Sequence, residues 1–215
     1  MDKKYVIFDM DGTLVDSMGF WRGLTDEYLR GKGIMEVSAE VKEKIKPMTL
    51  AESAELFAEE YGIHDTPEEI AREMNSVMEE HYRKDVFFKP GAREYLDKLH
   101  REGIPMCIAS ATAGYLIDIC LERLGIKELF EFVISCETIG VGKRQPDVYH
   151  EAARRLGCKP EEAAIFEDAV YAARTAKAAG YYLVGVFDGQ DEQKWDEITE
   201  LSDEQVISWE DYIQL

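Results

Sequence analysis

The most constraining stretch lies near the start of the chain, where Tyr5-Val6-Ile7-Phe8 runs into Asp9-Met10-Asp11-Gly12-Thr13-Leu14-Val15-Asp16. A short unbroken run of β-branched and aromatic residues reads as a strand buried on both faces, as in parallel sheets. Side-chain alternation places Asp9 and Asp11 on one side as that strand ends. At about 4 Å and an effective dielectric near 20, two carboxylates repel by roughly 4 kcal/mol, so the pair calls for a cation, a shared proton or both. Mg²⁺, which prefers a few carboxylates plus a phosphate and waters, suits oxygen ligands of this kind. Two other readings compete. Asp-Gly can simply make the turn after a strand while the acids face water. An EF-hand loop fails, because the glycine comes two positions too early, Phe20 stands where the bidentate Glu belongs, and the preceding segment reads as strand.

The charge balance narrows the partners. With 44 Asp and Glu against 25 Lys and Arg, the formal net charge is −19, which repels nucleic acid and anionic lipid. No Lys/Arg cluster forms a nucleic-acid patch, so neither nucleic acid nor membrane is an expected partner. An anionic substrate then needs a local positive site built from metal, lysine and backbone amides. Asp2, Lys3 and Lys4 precede only a short apolar stretch, and no later run approaches about eighteen apolar residues; neither signal peptide nor membrane span is read, and the expected location is cytoplasmic. Cys107, Cys120, Cys136 and Cys158 form no C-x-x-C pair and read as reduced, mostly buried thiols. His64, His81, His100 and His150 lack metal-ligand spacing and read as surface or helix residues.

After Asp16 the period changes to helical, with Ser17 a candidate cap and Phe20, Trp21, Leu24, Tyr28 and Leu29 on one stripe. Val37 to Ile45 is a second helical stretch stopped by Pro47, and Thr49 with Glu52 suggests a capping box for a third, ended by Gly62. Thr66-Pro67-Glu68-Glu69 opens a fourth, with Ile70, Met74, Val77, Met78 and Tyr82 at helical spacing. Residues 18–84 therefore read as an all-helical insert, its aromatic and Met stripes as ordinary packing. From Phe87 onward strands and helices alternate: strands near 105–109, 132–135, 163–166 and 181–187, a loop carrying Gly140, Gly142 and Lys143, and helices between. The tail has a helical stretch from Trp195 to Leu201 and a short apolar run at Val206-Ile207.

This alternation predicts an α/β fold: a parallel, Rossmann-like sheet with helices on both faces and ligands at the carboxyl ends of its strands. Asp9 and Asp11, Ser110, Lys143 and Glu167-Asp168 all fall at strand ends or in the loops that follow. A second acidic pair facing the first offers a divalent ion its ligands, while Ser110, the amide of Ala111 and Lys143 offer an anion its donors. Adjacent metal and anion sites suggest phosphoryl transfer.

At these residues the chain resembles the haloacid dehalogenase superfamily of phosphotransferases. The resemblance rests on D-x-D-G-T at Asp9 to Thr13, the serine after the next strand at Ser110, G-K-x-x-P-D at Gly142 to Asp147, and E-D at Glu167-Asp168. It covers essentially the whole chain, with a helical cap at 18–84 inserted into a core of 1–17 and 85–215, as in the β-phosphoglucomutase and phosphoglycolate phosphatase branch. It implies Asp9 as nucleophile forming an aspartyl-phosphate, and Asp11 as the acid that protonates the leaving oxygen and then activates water. That role requires Asp11 to be protonated at neutral pH, above the ordinary value near 3.9, and a like charge at Asp9 pushes it that way. It also implies Mg²⁺ held by Asp9, the backbone carbonyl of Asp11 and Asp168, with Glu167 as ligand or neighbour. Ser110, the Ala111 amide and Lys143 would grip the phosphoryl oxygens.

Departures from the branch refine the expectation. Trp21 stands where a β-phosphoglucomutase has a histidine in its first cap helix, and Leu50 where the cap's phosphate-gripping arginine belongs, unless Lys44 or Lys46 substitutes. Arg144 replaces the family's usual proline, and either touches substrate or is merely solvated. The expected activity is phosphatase action on a small phosphorylated metabolite, with a phosphosugar mutase and a non-catalytic phosphometabolite sensor as the alternatives.

Overall fold

In a computed structural model, which describes residues 3–45, 48, 50–189 and 192–214, the chain runs β1 (Tyr5–Phe8), α1 (Met18–Gly31), α2 (Ala39–Ile45), α3 (Leu50–Tyr61), α4 (Pro67–Lys84), α5 (Ala92–Arg101), β2 (Met106–Ser110), α6 (Gly114–Leu124), β3 (Phe132–Ser135), α7 (Cys136–Ile139), α8 (Asp147–Leu156), β4 (Ala163–Glu167), α9 (Val170–Ala178), β5 (Tyr182–Val186), α10 (Glu192–Leu201), β6 (Glu204–Val206) and α11 (Trp209–Tyr212). It divides into two compact units, one comprising the residues through Met18 together with those from Val86 onward, the other Gly19–Asp85.

The first unit holds the sheet, whose strands are parallel in the order β3-β2-β1-β4-β5-β6. The strands β1, β2, β4 and β5 are buried along nearly their whole length, as a parallel sheet covered by helices on both faces requires. On one face Ile7, Cys107, Ala109, Ile165 and Leu183 pack with Val148, Tyr149 and Ala152 of α8 and with Ala173 and Ala176 of α9. On the other, Phe8 and Phe166 lie with ring centroids 4.8 Å apart. Trp209 of α11 stacks on Phe166 at 5.4 Å and meets Tyr95 of α5 at 5.0 Å. Full burial of such side chains contributes about 1.5–3 kcal/mol each. From β1 the chain first builds outward through β2 and β3, then crosses to β4, β5 and β6 on the other side. The crevice beyond the carboxyl ends of β1 and β4 is thus the switch point where open α/β sheets bind ligands.

Two elements differ from the sequence expectation. Between β3 and Lys143, where a loop was expected, the single helical turn α7 forms because Ser135 Oγ accepts the Glu137 amide at 3.2 Å, and Gly140 at φ +84° ends it. A sixth strand, β6, ends at Val206 and leaves Ile207 outside it: Val206 is buried, Ile207 is exposed, and the Phe187 amide donates to the Val206 carbonyl.

The second unit consists of helices. Tyr28, Leu29, Phe57 and Ile70 are its buried centre. α4 begins as its sequence predicts: Thr66 caps the Glu69 amide, Glu69 returns the bond to the Thr66 amide at 2.8 Å, and Pro67 occupies the first turn. Trp21 donates its indole N–H to the Tyr82 hydroxyl at 3.1 Å, which binds α1 to α4. Lys46, Pro47 and Thr49, and with them the expected stop and capping box, lie outside the described residues. No helix among the described residues is long and apolar enough to cross a membrane. All four cysteines are free thiols, three of them buried.

Candidate active site

The site begins where β1 stops. Pairing of Phe8 with Phe166 sets the ends of β1 and β4 side by side, and the Asp9 amide donates to the Phe166 carbonyl at 3.0 Å. The chain then turns sharply, with Leu14 and Val15 both donating to the Met10 carbonyl. Gly12 makes the turn at φ +79°, and a Cβ there would meet Asp168, 2.8 Å from its carboxyl carbon. Only glycine combines this backbone with such an approach.

Asp9, Glu167 and Asp168 each bring a carboxylate oxygen into one cluster, all within 4.8 Å of one another. Lys143 is buried among them, its Nζ donating to Asp9 and, at 2.8 Å, to Glu167 Oε2. The Tyr149 hydroxyl adds a second bond to that oxygen at 3.1 Å, and the Ala169 amide donates to Oε1 at 3.2 Å. Burial, then the charge of Glu167, pushes the Asp9 carboxyl up to about 6 despite Lys143. Burial and then Asp9 raise Asp168 well above the usual carboxylate range. Burial alone would lower Lys143, yet Asp9 and Glu167 hold it well above its ordinary value, so it stays charged. Three carboxylates, two buried and Asp168 half-buried, against one ammonium leave an uncompensated negative charge. Hard oxygen donors in that balance fit a divalent cation, and such an ion would let Asp9 and Asp168 ionise.

Asp11 stands apart from this trio. Its carboxylate is held by hydroxyls, accepting from Ser17 Oγ at 2.5 Å and from Thr112 Oγ1 at 2.7 Å. Ser17, the residue directly before α1, is wholly buried there. Ser110 is buried at the end of β2, where its Oγ accepts the Thr112 amide at 3.1 Å and keeps its own O–H as a donor. Ala111 follows on the exposed rim. Thr13 donates to Asp168 Oδ1 at 3.2 Å, and its carbonyl accepts the Trp209 indole N–H at 3.1 Å.

Every sequence-predicted site residue thus lies at the carboxyl end of the sheet, with Asp9, Lys143, Glu167 and Asp168 in direct association. Thr13, Ser17, Thr112, Tyr149 and Trp209 went unassigned. Thr13 and Ser17 could have been suspected from their places beside the acidic turn; Tyr149 reads only as part of an apolar helix stripe. Beside the cluster, Arg144 lies over the ring of Tyr171 at 4.9 Å.

Residues 6–186 match the family model of the haloacid dehalogenase-like hydrolases. The chain is similar to the mitochondrial (DL)-glycerol-3-phosphatase 1 of Arabidopsis thaliana, at 32% identity over 199 residues, 86% of this chain and 64% of that protein. It therefore spans just under two thirds of that relative's length. It is also similar to the β-phosphoglucomutase of Bacillus subtilis (strain 168), at 28% identity over 201 residues, 87% of this chain and 84% of that one. Its fold matches the crystal structure of CbbY from Rhodobacter sphaeroides in complex with phosphate, with a TM-score of 0.76 at 21% identity over 96% of this chain and 95% of that one. With most of its length matched by one family model, and its acids and lysine gathered at the switch point of the sheet, the chain belongs to the haloacid dehalogenase-like hydrolases.

Proposed function

We propose that this protein is a Mg²⁺-dependent phosphatase acting on small phosphorylated metabolites, sugar-phosphate-like monoesters among them, through an aspartyl-phosphate on Asp9. The observation that carries this reading is the buried Lys143 bonded to both Asp9 and Glu167 inside a cluster of three carboxylates.

Asp9 attacks phosphorus in line, so that its bond to phosphorus forms as the bond to the leaving oxygen breaks. Asp11 gives that oxygen its proton, then takes one from the water that cleaves the aspartyl-phosphate, so one group serves both halves. The hydroxyls of Ser17 and Thr112 fix Asp11 for this work. Ser110, the Ala111 amide and Lys143 hold the non-bridging oxygens. Asp9, Glu167, Asp168 and the backbone carbonyl of Asp11 would hold Mg²⁺, which when bound offsets the charge of the dianionic phosphate. Residues 1–17 and 85–215 serve as the catalytic core and 18–84 as a cap that selects substrate. Because monoester hydrolysis needs acceleration of up to about 10²¹-fold, water exclusion is part of the assignment.

Similarity to the Bacillus β-phosphoglucomutase favours a mutase as the second reading. Against it, Trp21 replaces the expected histidine and is occupied with Tyr82. One experiment separates them: phosphate release from a panel of small monoesters with Mg²⁺, beside conversion of β-glucose 1-phosphate to glucose 6-phosphate with a bisphosphate primer. Free phosphate that disappears with EDTA and in Asp9→Asn supports the phosphatase. Isomer conversion without net release supports the mutase, and no turnover of either kind refutes both and leaves a phosphometabolite sensor.

A further inference from the structure

Arg144 follows Lys143 directly and is exposed, its guanidinium over the ring of Tyr171. Tyr171 belongs to the first turn of α9, four residues beyond Glu167, and is itself 39% exposed. In a chain with 44 acidic residues, several cations are bound to carboxylates: Lys32 to Asp65 and Glu73, Lys89 to Asp188, and Lys143 to Asp9 and Glu167. Among the described residues no carboxylate pairs with Arg144. An aromatic ring holds a guanidinium by its face and leaves the edge free, and that edge is a fork of parallel N–H donors matched to two oxygens of one anion. Lys143 is already committed to the buried cluster, so Arg144 supplies a second cation on the rim, one residue from the lysine assigned to the transferring phosphoryl group.

We propose that Arg144, braced by Tyr171, is a specificity-determining residue that receives a second oxyanion on the substrate, a carboxylate or a further phosphoryl group, carried a few bonds from the phosphoester that is cleaved. This rests on the phosphatase reading and adds the substrate class to it. A small monoester with a second anionic group is otherwise disfavoured by the overall charge of −19, and one forked cation at the rim offsets that locally.

Two matched pairs test it. 3-Phosphoglycerate against glycerol 3-phosphate differs by a carboxylate, and glucose 1,6-bisphosphate against glucose 1-phosphate differs by a phosphoryl group. The readout is the ratio of kcat/KM within each pair. Wild type favours the doubly anionic member of at least one pair, and the responding pair identifies the anion. Arg144→Ala lowers that ratio about tenfold or more, chiefly through KM. Arg144→Lys restores only part of it, because an ammonium offers no fork. Tyr171→Phe retains the ratio and Tyr171→Leu lowers it. A wild type that discriminates in neither pair, or a ratio unchanged in Arg144→Ala, overturns the inference. Failure of the phosphatase reading looks different: no phosphate is released from any monoester, and the inference falls with it.

Discussion

Kept free of divalent ions, this protein should lose stability as pH rises through about 6. The Asp9 carboxyl is raised from its ordinary 3.8 to about 6, by burial first and by Glu167 second, with Lys143 offsetting part of the shift. A carboxyl raised on folding binds its proton more tightly in the native state than in the unfolded chain. The stability it contributes is full below about 3.8 and is lost as pH climbs through about 6. A rise of that size is worth about 3 kcal/mol. Asp168, raised by burial and by Asp9, acts with the same sign and deepens the loss. For a protein of this size, about 3 kcal/mol lowers Tm by roughly 6–12 °C. Thermal unfolding followed by near-UV circular dichroism at pH 5 and pH 7.5, in EDTA and then in excess Mg²⁺, reads roughly half of that loss, about 3–6 °C, because the other half falls between about pH 3.8 and 5. Mg²⁺ should shrink the difference, because ionised Asp9 would be one of its ligands under the proposed function. Asp9→Asn should flatten the metal-free curve, because no proton is left to lose there. An equal pH-dependent drop in wild type and Asp9→Asn, or a metal-free Tm that holds steady or rises between the two pH values, would refute the reasoning.

Thr112→Val replaces the hydroxyl that donates to Asp11 at 2.7 Å with a methyl of similar size; kcat should fall about 10- to 100-fold with a smaller change in KM, as steady-state kinetics would show. Gly12→Ala forces alanine into φ +79° and drives its methyl onto Asp168; beyond a strain of about 1–2 kcal/mol, the Mg²⁺ concentration for half-maximal activity should rise about tenfold, and an unchanged Mg²⁺ requirement counts against Asp168 as a ligand. In the helical unit, burial works against a charged His81, but its bonds to Glu27 at 2.9 Å and Asp85 at 3.1 Å win and raise it above 6.5. That contribution is full below 6.5 and lost as pH rises through the raised value, so His81→Gln should cost about 0.5–1 kcal/mol at pH 6 and less at pH 9 in urea unfolding.

The acids were legible because each sits at or just after the end of an apolar strand, and Lys143 because it lies in the connection that follows β3; a parallel sheet brings such ends to one rim whatever the helices between them do. The register of Phe8 with Phe166 then makes Asp9 and Glu167 neighbours. The hydroxyls that hold the acids were not legible. Thr112 is 101 positions from Asp11, and Thr13 is 155 from Asp168; threonine and serine are too common for such pairings to leave a spacing signature. β6 escaped for a different reason, since a strand with one buried side chain in three residues has no period to detect. Asp11 shows the limit of alternation as a guide: the backbone turns at Gly12 immediately after it, and the carboxylate goes to Ser17 and Thr112 rather than to the trio of Asp9, Glu167 and Asp168.

The bond from Trp209 to the Thr13 carbonyl spans 196 positions, and it bears on how the protein is made. At about 5–20 residues per second, a ribosome takes about 10–40 s to reach Trp209 after finishing Thr13. Through that interval β1, destined for the middle of the sheet, waits as an apolar segment without β4, while its acidic turn lacks Glu167, Asp168 and the indole that will pin it. The earliest of the site's segments to be made is thus among the last to be completed, and a nascent chain stalled before β4 would carry a sticky strand and an unassembled acidic turn, a natural client for a chaperone.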